Sequence, residues 1–250
     1  MNGFEQHKIK HASPSSISLW ESNPAMWVAS YLLKKKRPGA PAMTRGIVIE
    51  DAVVAALSGK SVDDAVATAE KSFDEKIFLA DDKSEKERAS IRPITKLSVE
   101  ALKEFGAPQF DLDGRQQKVS INCNGDGWKL PIIGYLDLVY PDEGLVIDLK
   151  TTMRLPSTMM SSHKRQRCFY QKCMGNLSVK FLYVTPKKSI ILEDGNVDAE
   201  LNTIKQHLNR LERFLRISDD PEYLAAIVPV DPTHFYWSDC TDLRKEVFGI

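Results

Sequence analysis

The 250-residue chain predicts an α+β fold with a central mixed sheet flanked by helices and a helical N-terminal part. Two observations lead to this. Up to about residue 105 the apolar residues recur at helical spacing, and from about 116 they switch to the alternation and β-branched content of strands. The later order of helix, strand pair and helix then closes a layered domain and not a run of separate modules.

In "SPSSISLWESNPAMWVASYLLKKK", Ser15 or Ser16 is the expected N-cap, and Asn23-Pro24 breaks the segment into two short helices. "RPGAPA" reads as a loop by its prolines and glycine. Thr44 is the expected cap of a helix through "RGIVIEDAVVAAL" that stops at Gly59, and 61–80 and 84–105 continue as amphipathic helices. "QQKVSINC", "WKLPIIGYLDLVY" and "LVIDLKTT", separated by the turns "NGDG" and "PDEG", form an antiparallel meander. Residues 157–175 return to helix, and "VKFLYVT" and "SIILE" pair around Pro186. Residues 197–216 carry Val197, Leu201, Ile204, Leu208, Leu211 and Leu215 as a core-facing stripe.

Composition narrows the functional classes. Thirty-four basic residues balance 34 acidic ones, so nucleic-acid binding has to rest on local clusters such as "KKKR" at 34–37 and "HKRQR" at 163–167. The first of these reads as a solvated face. No apolar run approaches the roughly 18 residues that span a bilayer, and the N-terminus has no secretory core, so a cytoplasmic protein is expected. Cys123, Cys168, Cys173 and Cys240 form no CxxC pair, which gives neither a zinc site nor a disulfide framework. "LSGKS" at 57–61 has Val54 where a P-loop needs its first glycine, and neither GxSxG nor HExxH occurs; His163, His207 and His234 read as surface or hydrogen-bonded residues.

The hairpin 134–152 holds the chemistry. A four-residue turn centred on Asp142 and Glu143 sets Asp137 directly opposite Asp148, with β-carbons about 5 Å apart, where like charges repel. Lys150 emerges on the same face as Asp148, while Ile147 and Leu149, and on the facing strand Leu136 and Leu138, point the other way. Two readings follow: a hard divalent cation, Mg²⁺ or Mn²⁺, held by oxygen ligands, or an exposed hairpin in which Lys150 neutralises both aspartates.

"GYLDLV" and "VIDLKTT", an Asp and then Asp-x-Lys after a spacer of ten, resemble the PD-(D/E)xK nuclease superfamily. Three further stretches resemble its RecB-like, phage-exonuclease branch: "SISLWESNPAMW" its N-terminal Ser-x-Ser-x-Leu segment, "RGIVIEDAV" its Gly-xxx-(His/Glu) helix, and "QRCFY" its Gln-xxx-Tyr motif. The likeness spans roughly 15 to 240. Leu136 stands where the superfamily has its proline. Asn23 stands where iron–sulfur members have a cysteine and Cys240 is isolated, so no iron–sulfur cluster is expected.

The resemblance implies a restriction-endonuclease-like α/β/α domain over 1–250. Residues 1–115 form the helical part with Glu50, 116–195 the catalytic sheet and Gln-xxx-Tyr helix, and 196–250 a C-terminal helix and tail. It implies that Glu50, Asp137, Asp148 and the Leu149 carbonyl bind metal, and that Lys150 orients and helps deprotonate the attacking water. The Gly46 spacing favours Glu50 over Asp51. Gln166, Tyr170, Lys164, Arg165, Arg167 and Thr151 are the expected DNA contacts, though each has an ordinary structural reading as core, strand or solvated charge. The function implied is a Mg²⁺- or Mn²⁺-dependent deoxyribonuclease, an exonuclease leaving 5′-phosphates in recombination, repair or phage genome processing. A single-strand annealing or replication protein, or further copies of the chain, are implied partners, and no membrane is. The alternatives are a catalytically idle nucleic-acid-binding module on the same fold and a structure-specific endonuclease.

Overall fold

A computed structural model describes residues 2–35, 39–77, 81–109, 116–122 and 127–250. Part of the run at 34–37, part of the "NGDG" turn and Cys123 lie outside the described residues.

The helical part starts with α1 (Gly3–Gln6), α2 (Pro14–Ser22) and α3 (Pro24–Trp27), which passes into a π-helical turn, Val28–Leu32. The break at Asn23 falls as expected, with Asn23 capping α3 through Met26 N–H at 2.9 Å. The cap of α2 is Ser13, not Ser15 or Ser16, because Pro14 takes the first helical position, where a missing N–H costs nothing. For the same reason α4 (Pro41–Leu57) begins three residues before Thr44, which is buried inside the helix. α5 (Val62–Lys76) and α6 (Asp82–Leu102) complete the part, and a 3-10 turn, Lys103–Phe105, closes it.

β1 (Gln117–Ile121) pairs antiparallel with β2 (Ile132–Leu136) in a two-stranded ribbon. One residue later the same chain re-enters as β3 (Leu138–Tyr140), which pairs antiparallel with β4 (Leu145–Thr151). The turn 141–144 has the expected length, and Gly144 at φ +62° takes the left-handed position that closes it. Leu138 faces Ile147, Val139 faces Val146 and Tyr140 faces Leu145, the register expected from that turn. β4 then crosses over through α7 (Ser161–Met174) to β5 (Ser178–Val184), its parallel neighbour, and β6 (Ser189–Leu192) pairs antiparallel with β5. The sheet order is β3-β4-β5-β6.

Both faces of this sheet are covered, so its central strands are apolar on both sides. Leu138, Ile147, Leu149, Leu182 and Val184 pack with α4, α5 and α6 in one core. Val139, Val146, Phe181 and Tyr183 pack in the other, with α1 to α3, α7 and α8 (Val197–Leu215). The stripe on α8 is buried as expected. The region read as a tail carries α9 (Pro221–Ile227) and α10 (Thr241–Phe248), whose Leu224 and Leu243 join the second core. Among the described cysteines, Cys168, Cys173 and Cys240 form no disulfide with one another.

The meander differs from expectation in one respect. Leu136 and Leu138 would share a face in a straight strand, yet Leu136 lies in the core beside α7 and α8 and Leu138 in the core beside α4. The chain bends at Asp137, where it leaves β1 and joins β4. Ahead of this bend, Gly134 allows α7 to approach the ribbon: a β-carbon there would lie 2.5 Å from a Tyr170 ring carbon and 2.8 Å from one of Phe169. Replacing Gly134 with Ala is expected to cost about 1–3 kcal/mol by overpacking. Urea denaturation would show it as a lower midpoint at unchanged slope, and a midpoint equal to the parent's would contradict this packing.

Candidate active site

Asp137 and Asp148 reach the site by different routes. Asp148 lies mid-strand in β4 on the Phe181 and Tyr183 face and is 1% exposed; Asp137 occupies the bend and is 8% exposed. The bend frees Asp137 from strand pairing, and its Oδ2 accepts the Leu149 N–H at 2.9 Å. Because the N–H and C=O of a strand residue point to the same edge, the Leu149 carbonyl lies on the Asp137 side of β4. The exposed-hairpin reading is therefore overturned, since the hairpin is sandwiched between two helical layers.

Lys150, on the same face as Asp148, forms an ion pair with Asp148 Oδ1 and lies 5.0 Å from the centre of the Phe181 ring. Neither Asp148 oxygen accepts a bond of hydrogen-bonding geometry, which is unusual for a buried carboxylate. Glu50, on α4, is joined to the pair by a residue the sequence reading had passed over. The Gln116 side-chain amide donates to Glu50 Oε1 and, at 2.9 Å, to Asp137 Oδ1. Gln116 stands just before β1 and belongs to no motif; its only signal in the sequence is that β1 pairs with the strand leading to Asp137. Asp51 is turned away, in a small cavity against α5 with Thr68 and Ala69.

Three carboxylates thus share one ammonium in a region largely closed to water. Burial, then the charge of Asp148, pushes Glu50 up to about 7. Burial and the charges of Asp148 and Glu50 hold Asp137 well above the usual carboxylate range, and burial raises Asp148 despite Lys150. Burial alone would lower Lys150, but Asp148 and Asp137 outweigh it and hold the ammonium charged. His163 donates to or accepts from Tyr183 Oη at 2.7 Å, and burial with the nearby Lys150 charge lowers it to about 4, so it is neutral near pH 7.

The other expected residues separate into two groups. Gln166 donates to Tyr170 Oη at 3.0 Å, Tyr170 donates to the Tyr135 carbonyl at 2.7 Å, and both line a cavity of about 590 Å³ that also reaches Asp137 and Gln116. The structure does not bring the basic residues of α7 to that cavity. Arg165 is buried against Glu21, Arg167 is held by the Val179, Asp194 and Gly195 carbonyls and Glu193, and Lys164 pairs with Asp194. Thr151 is pinned by Arg45, whose Nη2 donates to the Thr151 carbonyl at 3.1 Å; Arg45 in turn pairs with Glu87.

Among the described residues, no three His, Cys, Asp or Glu side chains converge as ligands of one ion, since the Gln116 amide and the Lys150 ammonium stand among the carboxylates. The donor set still fits a hard divalent cation: it is all oxygen, and the buried Asp148 Oδ2 lacks a hydrogen-bond donor. Glu50, Asp137, Asp148 and the Leu149 carbonyl supply the oxygens that would hold one.

A sheet with one parallel and two antiparallel pairings between helical layers, with Asp, Asp-x-Lys and Glu brought together where a strand bends, defines a restriction-endonuclease-like fold with an acidic, lysine-bearing site. A family model of the PD-(D/E)XK nuclease superfamily matches residues 11–240, and the chain belongs to that superfamily. No curated protein matches it significantly. Among solved structures it is similar to SSO0001, at 15% identity and a TM-score of 0.38, over 66% of this chain and 75% of that one. No helix among the described residues is long and apolar enough to cross a membrane.

A carboxyl group raised in the folded state binds its proton more tightly there than in the unfolded chain, so its contribution to stability is full below the unfolded value and is lost as pH rises through the folded one. For Glu50 that window runs from the ordinary 4.5 to about 7. In EDTA the melting temperature is expected to fall across this window, and Glu50→Gln to fall less, ending more stable at pH 8 by on the order of 2 kcal/mol. Parallel pH profiles for the two proteins would show that Glu50 is not under this electrostatic load.

Proposed function

We propose that the protein is a divalent-metal-dependent deoxyribonuclease of the RecB-like type that works from DNA ends. The observation that carries this is the buried Asp148, which lies next to Asp137, pairs with the Lys150 ammonium through Oδ1 and has no hydrogen-bond donor at Oδ2. A buried structural carboxylate ordinarily has both oxygens satisfied, whereas a metal ligand needs at least one left free. Superfamily membership supports a nuclease, and DNA is the substrate class that fits it.

A divalent ion, Mg²⁺ or Mn²⁺, supplies Lewis-acid activation of water and of the scissile phosphate. The chain's own residues do the rest. Asp137 and Asp148 hold negative charge in a low-dielectric pocket, and Gln116 aligns Glu50 with Asp137. Lys150, kept protonated by its acidic neighbours, is placed to orient the attacking water and to offset charge building on phosphorus. Gln166 and Tyr170, tied to each other and to the Tyr135 carbonyl, shape the wall along which the strand reaches Asp137. The cavity is of the size that takes small molecules, which suits a strand end entering it better than an uninterrupted duplex. A 5′-phosphate product, single-domain organisation over 1–250 and a role in recombination, repair or phage genome processing are part of the same reading, by likeness to the branch.

The test incubates labelled linear and circular DNA, single- and double-stranded, with Mg²⁺, Mn²⁺ or EDTA. Degradation of linear DNA that stops in EDTA is expected, and Asp148→Asn and Lys150→Ala, folded by circular dichroism, should each lose at least about a hundredfold of the rate, or ~2.7 kcal/mol of barrier. Full activity in both variants, or none in the parent with either metal, rejects the assignment; cleavage of circles at the rate of linear DNA leaves an endonuclease.

A further inference from the structure

Resting on the nuclease reading, which gives Lys150 the attacking water to orient, the structure also bears on what keeps that ammonium in place. Its ion pair with Asp148 cannot do so alone. A divalent ion on Asp148 would draw on the same carboxylate and repel the ammonium beside it, so the lysine needs a second anchor that carries no charge.

β5 supplies one. It runs parallel to β4 with Phe181 beside Asp148 and Tyr183 beside Lys150, and paired neighbours in a sheet share a face. The Lys150 ammonium lies over the Phe181 ring, 5.0 Å from its centre. A ring face attracts a cation through its quadrupole, most strongly where water is kept out, and Phe181 is fully buried. That attraction does not depend on Asp148.

The ring is itself braced. His163, from the first turn of α7, lies 5.7 Å from it, and Tyr183 lies 6.4 Å from it. These two hold each other, with their rings 5.6 Å apart and His163 Nδ1 2.7 Å from the Tyr183 hydroxyl. Because His163 is uncharged near pH 7, the Phe181 face meets one cation and not two. An aliphatic side chain would also fill this part of the core, but only a ring offers an ammonium a face.

We propose that Phe181 is the positioning residue of Lys150: its ring, braced by the His163–Tyr183 pair, holds the ammonium where the attacking water needs it while Asp148 serves a divalent ion.

The experiment is proton–carbon correlation NMR of protein carrying labelled lysine ε-carbons, in EDTA and with Ca²⁺, whose binding is followed by calorimetry. The Lys150 signal is assigned by its loss in Lys150→Arg. Protons over a ring face move upfield, so this signal is expected upfield of the solvated lysines, as it is for Lys205, 4.8 Å from the Trp128 ring centre. It should stay there with Ca²⁺ bound and fall back among the solvated lysines in Phe181→Leu. In Mg²⁺ or Mn²⁺, Phe181→Leu should cut linear DNA with KM little changed and kcat lowered about tenfold, or ~1.4 kcal/mol of barrier. Phe73→Leu, which removes a buried ring from the opposite core, should leave the signal and kcat unchanged. If Phe181→Leu does not fold, the parent's spectra carry the test alone. A Lys150 signal among the solvated lysines in the parent, its return there when Ca²⁺ binds, or an unchanged kcat in Phe181→Leu overturns the proposal. A protein that cuts DNA with an unshifted Lys150 refutes the Phe181 anchor alone, and one with the upfield signal that neither binds Ca²⁺ nor cuts DNA refutes the nuclease.

Discussion

Gathering three carboxylates, two of them buried, around one ammonium is the constraint on which the rest of the structure depends. Left to itself such a cluster is repulsive and poorly solvated, and its members hold on to protons that carboxylates ordinarily release. The fold pays for it with two covered sheet faces that fix β4, a bend that brings Asp137 against the Leu149 N–H, and an amide at Gln116 that joins Glu50 to Asp137. Removing the bend would swing Asp137 onto a regular pleat, and removing Gln116 would leave Glu50 and the buried Asp137 without a shared donor.

The layers divide the work. The helices α4 to α6 supply Glu50 and the apolar cluster that packs under Ile147 and Leu149. The opposite layer supplies α7, whose Gln166 and Tyr170 form the cavity wall, while its arginines lock the crossover to Glu21 and to the carbonyls after β6. Arg45, next to Gly46 on α4, ties α4 to the end of β4 through Thr151 and so sets the distance between Glu50 and the strand that carries Asp148. Charged residues of α7 that look like DNA contacts in a linear reading are in this way structural ties.

Local rules made part of this visible beforehand. The "PDEG" turn has a definite length, so the Leu138–Ile147 register followed from it, whereas Asp137 stands at a bend and not as the cross-strand partner of Asp148; the three-four stripe of α8 followed from spacing alone. The likeness of "RGIVIEDAV" to the Gly-xxx-(His/Glu) helix singled out Glu50 over Asp51, and Glu50 is the one bonded to Gln116 while Asp51 lines the cavity against α5. What escaped depends on partners distant in the chain. The inward turn of Arg165 is set by Glu21 and that of Arg167 by carbonyls of 179, 194 and 195. Gln116 acquires its place only because β1 pairs with β2. The kink that sends Leu136 and Leu138 to different cores is a sheet-level event, and the starts of α2 and α4 moved because Pro14 and Pro41 serve as first helical residues.

The most direct measurement is the anomalous diffraction of crystals soaked in Mn²⁺. The account predicts a peak within coordination distance of Asp137, Asp148 and the Leu149 carbonyl, with Glu50 on its border and the Gln116 amide no longer spanning Glu50 and Asp137. A strong peak elsewhere, or none, with that amide bridge and the Lys150–Asp148 pair intact, would show that the acidic cluster is neutralised from within and does not exist to hold a metal ion.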